Sequence, residues 1–333
     1  MYIIIGASSF IGVYTATLFH QKNEKILVCG REDEFKEYYD SLGVDFVNLD
    51  LINPKDFEKL PKNGVEAVIL IAGLLPASEN ADLKKSENAD MYIKVNTIGT
   101  INTLEYCRKN GIKRLINTIS FADIAKSLTC KTPVSEDEPR NFYFHGDHAA
   151  YVISKNAAAD IMQYYNEQHN MLNAWFRLPP VYGVGPHGFL KVNGIIKKSG
   201  LQIFIDKAKS GDDIEVFGNL SRDVVYVKDV AMAYYLAVKS HRTKGIYNIS
   251  SGHVTTLLEQ AEACADVFCQ KKKSKIIFKD VSNNGDSYLL SIEKAKKDFG
   301  YAPLFNTFEK MMRDYYFEEK RGVYNKLFEN RKV

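Results

Sequence analysis

The fold class follows from the segment YIIIGASSFIG, residues 2–12. Its apolar run predicts a buried β-strand at 2–5, and the residues that follow, through Phe19, can form a helix. The turn between them has G-x-x-G-x-x-G spacing, with Gly6 and Gly12 at its ends and Ser9 in the middle. Backbone N–H groups and the positive end of the helix dipole can face a pyrophosphate there. A turn with two glycines can also serve the fold alone, so its surroundings must decide.

Outward from this turn, short apolar strands alternate with helical stretches. We predict strands at 2–5, 25–29, 45–48, 67–71, 114–118 and 172–177, then a helix at 226–238 and a last strand at 245–249. This alternation is typical of an α/β fold with a Rossmann-type, doubly wound parallel sheet covered by helices on both faces. Two later stretches, 181–222 and 251–333, alternate less regularly. We expect a cofactor domain of 1–180 plus 223–250 and a smaller, discontinuous C-terminal substrate domain formed by these two stretches.

Composition excludes several classes of protein. The chain has 44 Lys and Arg against 41 Asp and Glu, which disfavours dedicated nucleic-acid binding. Its five cysteines are odd in number and contain no C-x-x-C pair, so we expect reduced thiols, no disulfide framework and no metal site. The N-terminus lacks a signal-peptide pattern, and no apolar run reaches the length of a membrane span. We therefore expect a cytoplasmic protein without a membrane partner.

The ends of the following strands supply candidate cofactor contacts. Arg31 stands where an NAD site usually has a carboxylate for the ribose 2′-hydroxyl, and its guanidinium suits a 2′-phosphate, which favours NADP over NAD. Glu32 and Asp33 beside it could reverse this preference, and Arg31 could equally be a solvated surface residue. Asp50 could accept a hydrogen bond from adenine or cap its own turn. Gly73 would let the backbone approach the cofactor closely.

Tyr151 and Lys155 lie at i and i+4 and share one face of a predicted helix. A nearby ammonium stabilises a phenolate and lowers the pKa of tyrosine, as acid/base catalysis requires. The spacing alone is weak, because it also occurs at Tyr235/Lys239 and Tyr316/Lys320.

Position along the chain favours the first pair. Tyr151 opens the helix before the sixth strand, near the carboxyl edge of the sheet, where doubly wound folds bind ligands. The fifth strand delivers Ser120 to the same edge, where its hydroxyl could hold the substrate oxygen. We expect Tyr235 and Tyr316 to pack in the core instead, and Ser120 alone could be a neutral turn residue.

Together these residues resemble the extended short-chain dehydrogenase/reductase proteins, in particular the NAD(P)-dependent nucleotide-sugar epimerases, dehydratases and reductases. The resemblance covers nearly the whole chain. Its ordered motifs are the Gly6–Gly12 turn, VNTIGT at 95–100 with Asn102 and Leu104-Glu105, Ser120, Tyr151 with Lys155, Arg177 leading to VYG at 181–183, FGN at 217–219, Arg222-Asp223 before VYV at 225–227, and YNI at 247–249.

The resemblance implies roles for individual residues. Ser120 would bind the reacting sugar hydroxyl, Tyr151 would be the acid/base, and Lys155 would bind the nicotinamide ribose and lower the pKa of Tyr151. Asn96 would be the structural or water-relay asparagine, and Arg222 would contact the nucleotide diphosphate. The substrate-binding set is thus Ser120, Tyr151 and Arg222. The full set of expected cofactor contacts is Gly6, Ser8, Ser9, Phe10, Ile11, Gly12, Arg31, Asp50, Leu51, Ala72, Gly73, Asn96, Tyr151, Lys155, Pro179 and Val181.

Three departures from the family pattern carry information. Ser9 replaces the middle glycine, which narrows the room for the pyrophosphate without necessarily blocking it. Phe121-Ala122 stands where dehydratases carry an acidic pair, which disfavours elimination of water. Pro180 replaces a frequent asparagine and puts one substrate contact in doubt. The segment between Ser120 and Tyr151 is also long for the family, and it contains residues that could shape the substrate site or be ordinary loop residues: Phe142, Tyr143, Phe144, His145, Asp147 and His148.

The resemblance implies an NAD(P)-dependent nucleoside-diphosphate-sugar epimerase that transiently oxidises a sugar hydroxyl, at C4, to a keto group. One alternative is an NADPH-dependent reductase of nucleotide keto-sugars, which Arg31 slightly favours. Another is a non-catalytic dinucleotide-binding protein, which loss of Ser120, Tyr151 or Lys155 would have favoured. A homodimer is expected, with contact through the helix after Asn96 and the helix that carries Tyr151.

Overall fold

A computed structural model describes residues 1–31, 33–76, 89–146, 148–192, 195–281 and 287–329. Its strands are β1 (Tyr2–Ile5), β2 (Ile26–Gly30), β3 (Asp45–Asn48), β4 (Ala67–Leu70), β5 (Leu115–Ser120), β6 (Ala174–Leu178), β7 (Val181–Tyr182), β8 (Phe189–Val192), β9 (Ile195–Lys198), β10 (Ile214–Phe217), β11 (Ser221–Asp223), β12 (Val225–Tyr226), β13 (Gly245–Asn248), β14 (Val254–Thr256) and β15 (Ile276–Lys279). Its helices are α1 (Phe10–Gln21), α2 (Asp33–Ser41), α3 (Ala89–Tyr92), α4 (Gly99–Lys109), α5 (Ala149–Gln168), α6 (Gly200–Ser210), α7 (Val227–Lys239), α8 (Leu257–Val267), α9 (Glu293–Phe299), α10 (Phe308–Arg321) and α11 (Val323–Leu327). Short 3-10 helices span Pro54–Lys59, Phe121–Ser127 and Pro186–Gly188, and a π-helix spans Ile93–Ile98.

Seven parallel strands form the central sheet in the order β13-β6-β5-β4-β1-β2-β3. Every predicted strand overlaps an observed one, and the predicted helix at 226–238 is α7. The doubly wound α/β fold is therefore confirmed. Its strand order reverses between β1 and β4, and in such sheets ligands bind where the order reverses, at the carboxyl ends of the strands.

The sheet is buried on both faces because its strands are continuously apolar. All four residues of β1 are buried, and its alternate side chains enter different hydrophobic clusters. Ile4 packs with residues of α1 and α7, whereas Ile3 and Ile5 pack with residues of α4 and α5. This packing fixes which loops reach the carboxyl edge of the sheet.

The less regular parts of the sequence fold into small sheets and further helices. Strands β10 and β15 pair in parallel, β11 and β14 pair antiparallel, β7 and β12 pair in parallel, and β8 and β9 form a hairpin. Helices α6, α8 and α10 were not predicted from the sequence, although side chains cap all three at Ser199, Thr256 and Thr307. At α8, Thr256 and Glu259 form a capping box, which was a readable signal.

The two proposed domains share a hydrophobic core. One cluster joins Phe10 and Val230 of the sheet side to Ile205, Cys264 and Met311 of the later helices. The division into 1–180 plus 223–250 and 181–222 plus 251–333 stays a prediction. All five cysteines are free. Among the helices within the described ranges, none is long and apolar enough to cross a membrane.

Candidate active site

The glycine turn after β1 packs against the residues that follow β4, the neighbouring strand in the sheet. Gly6 has φ of +97°, and a Cβ there would lie 2.3 Å from the backbone nitrogen of Ala72. A Cβ on Gly12 would lie 2.0 Å from the carbonyl oxygen of Gly6. Both positions therefore require glycine. Ser9 at the middle position caps α1, because its Oγ accepts a hydrogen bond from Gly12 N at 3.2 Å.

The first amides of α1 fit a phosphate group. The first backbone bond of the helix runs from Val13 N to Ser9 O. The N–H groups of Phe10 and Ile11 precede it and have no hydrogen-bond partner in the part of the chain that the structure describes. Two amides at the positive end of a helix dipole suit a pyrophosphate, so the turn fits a dinucleotide. Ser8 beside them is buried.

The predicted contacts for the adenosine half are spread along the ends of β2 and β3. Arg31 is exposed directly after β2, while Glu32 lies outside the described residues. Asp50 accepts a hydrogen bond from Ile52 N at 3.2 Å, so this carboxylate caps its own turn. A turn cap was one of the two roles predicted for Asp50, the other being a contact with adenine. Leu51 is buried against Gly99. No contact among these described residues favours NADP over NAD.

Ser120, Tyr151 and Lys155 come together at the carboxyl edge of the sheet. Ser120 ends β5, and its Oγ accepts a hydrogen bond from Ala122 N at 3.1 Å. Tyr151 lies in the first turn of α5, where it is only 7% exposed, and Lys155 lies one turn further along. Burial raises the pKa of Tyr151, the nearby Tyr92 adds to the rise, and a hydrogen bond with Ser120 opposes it.

We expected Lys155 to lower the pKa of Tyr151, but the structure shows no such effect. The lysine is not among the groups that shift that pKa, and burial of the phenol outweighs the opposing effect of Ser120. Burial also lowers the pKa of Lys155 itself to about 8. Among the described residues no carboxylate forms an ion pair with Lys155, which leaves its ammonium available to a ligand.

Gly73 and Asn96 surround the end of the lysine side chain. A Cβ on Gly73 would lie 2.9 Å from Lys155 Nζ and 3.0 Å from Asn96 Oδ1. Glycine at this position therefore keeps open the space beside the ammonium. The Asn96 amide bonds to both backbone groups of Leu74 and to Ser154 Oγ, at 2.8, 3.1 and 2.9 Å. These bonds agree with a structural role for Asn96 and keep the end of β4 next to α5.

The other Tyr-Lys pairs pack elsewhere. Tyr235 contacts Phe19 edge to face, at 5.4 Å between ring centroids, and Lys239 pairs with Glu24 at 2.6 Å. Tyr316 packs against the core cluster beneath Lys320. The geometry thus singles out Tyr151 and Lys155.

Arg222 lies on β11, close enough to two tyrosines to affect the pKa of each. Burial raises the pKa of Tyr182 to about 12, and the Arg222 guanidinium opposes this rise. The same guanidinium opposes the rise that burial gives to the pKa of Tyr288. Pro179 is buried between β6 and β7, and Val181 is half-buried at the start of β7. Strand β7 pairs with β12, the strand that follows Arg222. Ala72 donates its N–H to Ile5 O at 3.0 Å.

A buried ion pair beside the site was not predicted from the sequence. Arg177 at the end of β6 donates from Nε to Asp123 Oδ1 at 2.9 Å and from a terminal nitrogen to Oδ2 at 2.8 Å. Asp123 follows Ser120 by three residues, so the pair fixes the segment after β5 to β6. Its readable signal was a charged residue inside an otherwise apolar strand, since an Arg there needs a partner.

The aromatic segment before α5 also contacts the site. Phe142 packs against the cluster of Tyr92, Tyr151 and Val152. His145 is exposed, and Asp147 lies outside the described residues. Within the described parts of the chain, no three His, Cys, Asp or Glu side chains gather where they could hold a metal ion.

The fold and the placement of Ser120, Tyr151 and Lys155 define a dinucleotide-dependent enzyme of the extended short-chain dehydrogenase/reductase class. A family model supports this directly: the NAD-dependent epimerase/dehydratase model matches residues 2–250. The chain belongs to the NAD-dependent epimerase/dehydratase family.

Individual relatives differ in their reactions. The chain is 27% identical over 263 residues to a putative UDP-glucose 4-epimerase of Methanocaldococcus jannaschii, covering 78% of this chain and 79% of that protein. It is 22% identical over 312 residues to a dTDP-4-dehydro-6-deoxyglucose reductase of Escherichia coli, covering 90% and 92%. The solved UDP-glucose 4-epimerase of Thermus thermophilus in complex with NAD has a TM-score of 0.71 at 23% identity, covering 97% of this chain and 100% of that one.

Proposed function

We propose that this protein is an NAD(P)-dependent nucleoside-diphosphate-sugar epimerase that transiently oxidises a sugar hydroxyl, at C4, to a keto group. The observation that carries the proposal is the convergence of Ser120, Tyr151 and Lys155 at the edge where the α1 amides also point. Hydroxyl oxidation needs a group to take the proton and a site for the dinucleotide, and this edge offers both. The relative named as an epimerase supports the same reaction.

Each side chain has a task in this proposal. Ser120 Oγ accepts a bond from Ala122 N and forms a hydrogen bond with Tyr151, and in this proposal it also binds the reacting sugar oxygen beside the phenol. Tyr151, as phenolate, takes the sugar hydroxyl proton and returns it when the keto group is reduced. The nicotinamide, when bound, accepts and returns a hydride. Lys155 holds its ribose, while the hydrogen bond with Ser120 is the contact that favours the phenolate of Tyr151.

A reductase of nucleotide keto-sugars is the second candidate, and Arg31 is the residue that favours it. The guanidinium is exposed beside the end of β2, where it can meet a 2′-phosphate, and NADPH is the usual donor for net reduction. The relative named as a dTDP-4-dehydro-6-deoxyglucose reductase also supports this second candidate.

One experiment separates the two candidates. The purified protein is incubated with UDP- and dTDP-sugars, in hydroxyl and 4-keto forms, with and without NADPH, and products are followed by NMR. Isomer formed without consumption of cofactor means epimerase. Oxidation of NADPH in proportion to product means reductase. Absence of turnover across the panel contradicts both and leaves a non-catalytic dinucleotide-binding protein.

The cofactor preference is tested at Arg31. If its guanidinium binds a 2′-phosphate, Arg31→Ala weakens NADP binding by about fivefold and leaves NAD binding unchanged, because one exposed ionic contact contributes about 1 kcal/mol. Calorimetric titration with both cofactors measures this. Equal loss for NAD and NADP, or none, contradicts the preference.

We also propose a homodimer formed through α4 and α5 in a cytoplasmic protein. Exposed apolar side chains border these helices at Ile93, Ile98, Ile153 and Tyr164, and such a group of residues suits a protein interface. Light scattering coupled to size exclusion measures the mass. Replacing Ile98 and Ile153 by Glu should give monomers, and a wild-type mass of about one chain contradicts the dimer.

A further inference from the structure

An apolar wall stands beside the reactive phenol. We define the apolar wall as the residues that pack with Tyr151 in one hydrophobic cluster: Leu74, Tyr92, Ala122, Phe142, Ala150 and Val152. The hydroxyl of Tyr92 is the one polar side-chain atom in this set. Four members, Leu74, Ala122, Phe142 and Ala150, are only partly buried and so keep apolar surface that a ligand can contact.

The apolar wall is next to all three reactive groups along the chain. Ala122 follows Ser120 by two residues and donates its N–H to the Ser120 hydroxyl. Leu74 follows Gly73, which faces the Lys155 ammonium. A sugar that touches Ser120, Tyr151 and the cofactor must therefore lie against these side chains.

Backbone hydrogen bonds hold the aromatic part of the apolar wall in place. Asn141, directly before Phe142, donates its N–H to Asp123 O at 2.8 Å and accepts from Lys126 N at 2.9 Å. The Phe142 ring lies 4.7 Å from that of Phe144, which is 74% exposed. A phenylalanine so exposed beside an active site is the kind of surface that a ligand covers.

Two cations that flank this segment in the described part of the chain have partners. Arg140 pairs with Asp160 at 2.7 Å, and Lys126 Nζ lies 4.8 Å from the centre of the Tyr143 ring. A sugar carboxylate against Leu74, Ala122 and Phe142 would find no positive charge on these side chains, and a sugar hydroxyl there would lose its hydrogen bonds to water without replacement by them. A methyl group would instead gain contact area on the rings.

We infer that the substrate is the nucleoside-diphosphate derivative of a 6-deoxy sugar, whose methyl group packs on Phe142 and its neighbours. This inference rests on the proposed function. With Tyr151 acting at C4, the adjacent C5 bears the exocyclic C6 group, which projects beyond the ring and reaches the surface around the tyrosine. The apolar wall then selects a methyl group over a hydroxymethyl or carboxylate group at this position.

The test uses substrates that differ only at C6. Initial rates are measured with UDP-glucose and UDP-6-deoxyglucose, and with the matching dTDP pair, as hydroxyl sugars and as 4-keto sugars with NADPH. The value of kcat/KM should be about 10- to 100-fold higher for each 6-deoxy sugar, the range that one hydroxyl against an apolar pocket supplies. Equal rates, or faster turnover of the 6-hydroxyl sugars, overturn the inference while leaving the proposed function intact. No turnover of any sugar overturns both.

Variants assign the preference to the apolar wall. Phe142→Gln should bring the ratio of the two kcat/KM values to within about threefold of one, because the amide can pair with a 6-hydroxyl. Phe142→Leu keeps an apolar side chain and should keep most of the preference. As matched control, Phe317→Gln changes an exposed phenylalanine on α10 and should leave the ratio unchanged. An unchanged ratio in folded Phe142→Gln overturns the role of the apolar wall.

Discussion

Two buried cations lie at the same edge of the sheet, but only one of them has an ion-pair partner among the described residues. Arg177 is 1% exposed, and three of its nitrogens have partners, two contacting Asp123 and one donating to Asn248 Oδ1 at 3.3 Å. Lys155 is 4% exposed and has no ion-pair partner among the described residues, and its burial lowers its pKa to about 8. A fully paired charge serves the fold, whereas a buried charge without a protein partner marks a ligand site.

The contrast extends to the neighbouring segments. The Arg177–Asp123 pair is buried and fixes the chain directly after Ser120, so it would position the serine that we propose to be catalytic. The lysine instead faces the space that Gly73 leaves open. Changes at the ion pair should therefore affect stability, and changes at Tyr151 and Lys155 should affect turnover.

The largest effect should come from Tyr151→Phe. Loss of the phenol removes the acid/base and should lower turnover by about 10²- to 10⁴-fold, equivalent to about 3–5 kcal/mol. The free energy of unfolding, measured with urea, should change by less than about 1 kcal/mol. Tyr235→Phe is the matched control, because Tyr235 also precedes a lysine by four residues, and its turnover should equal that of the wild type. Undiminished turnover in Tyr151→Phe would remove the assigned mechanism.

Next in size is the loss of the ion pair. Arg177→Met leaves the Asp123 carboxylate buried and unpaired, which should lower the free energy of unfolding by about 3–5 kcal/mol. The double variant Arg177→Met with Asp123→Leu removes both charges and should recover more than half of that loss. Urea unfolding followed by circular dichroism measures both. If the single variant loses less than about 1 kcal/mol, the pair does not stabilise this edge.

Lys155→Met should abolish turnover yet stabilise the protein. The lysine pKa is about 8 when folded, against 10.5 for an unperturbed lysine. The ammonium therefore costs about 3 kcal/mol of folding free energy at pH 7, which the variant regains. Because the unfolded chain binds the proton more tightly between these two pKa values, wild-type stability should rise relative to the variant from pH 8 to 10.5. A difference that does not vary with pH would mean that the buried ammonium is stabilised by another group.

The features that could be predicted from the sequence are those that depend on residues close together along the chain. The seven strands follow from apolar runs, and Ser120, Tyr151 and Lys155 follow from spacing and chain position. A charged residue in an apolar strand indicates that Arg177 needs a partner. The identity of that partner and the packing of the apolar wall could not be predicted, because each joins residues that are distant along the chain: Asp123 contacts Arg177, and Phe142 packs with Tyr92. The shift in the pKa of Tyr151 depends on burial, which spacing does not report.

The smallest effect compares two buried tyrosine hydroxyls. Tyr301 donates to Ser250 O at 2.9 Å, whereas the Tyr288 hydroxyl, beside Arg222 and Phe121, is buried without a hydrogen-bond partner among the described residues. Tyr301→Phe should cost about 1 kcal/mol of unfolding free energy, the net value of one buried hydrogen bond. Tyr288→Phe removes only an unpaired hydroxyl and should leave stability equal or raise it by up to about 1 kcal/mol. Urea midpoints measured on both variants at one pH decide the matter. A loss of stability at Tyr288→Phe as large as that at Tyr301→Phe would mean that the Tyr288 hydroxyl is hydrogen-bonded in solution. The two buried tyrosines would then contribute equally to the fold.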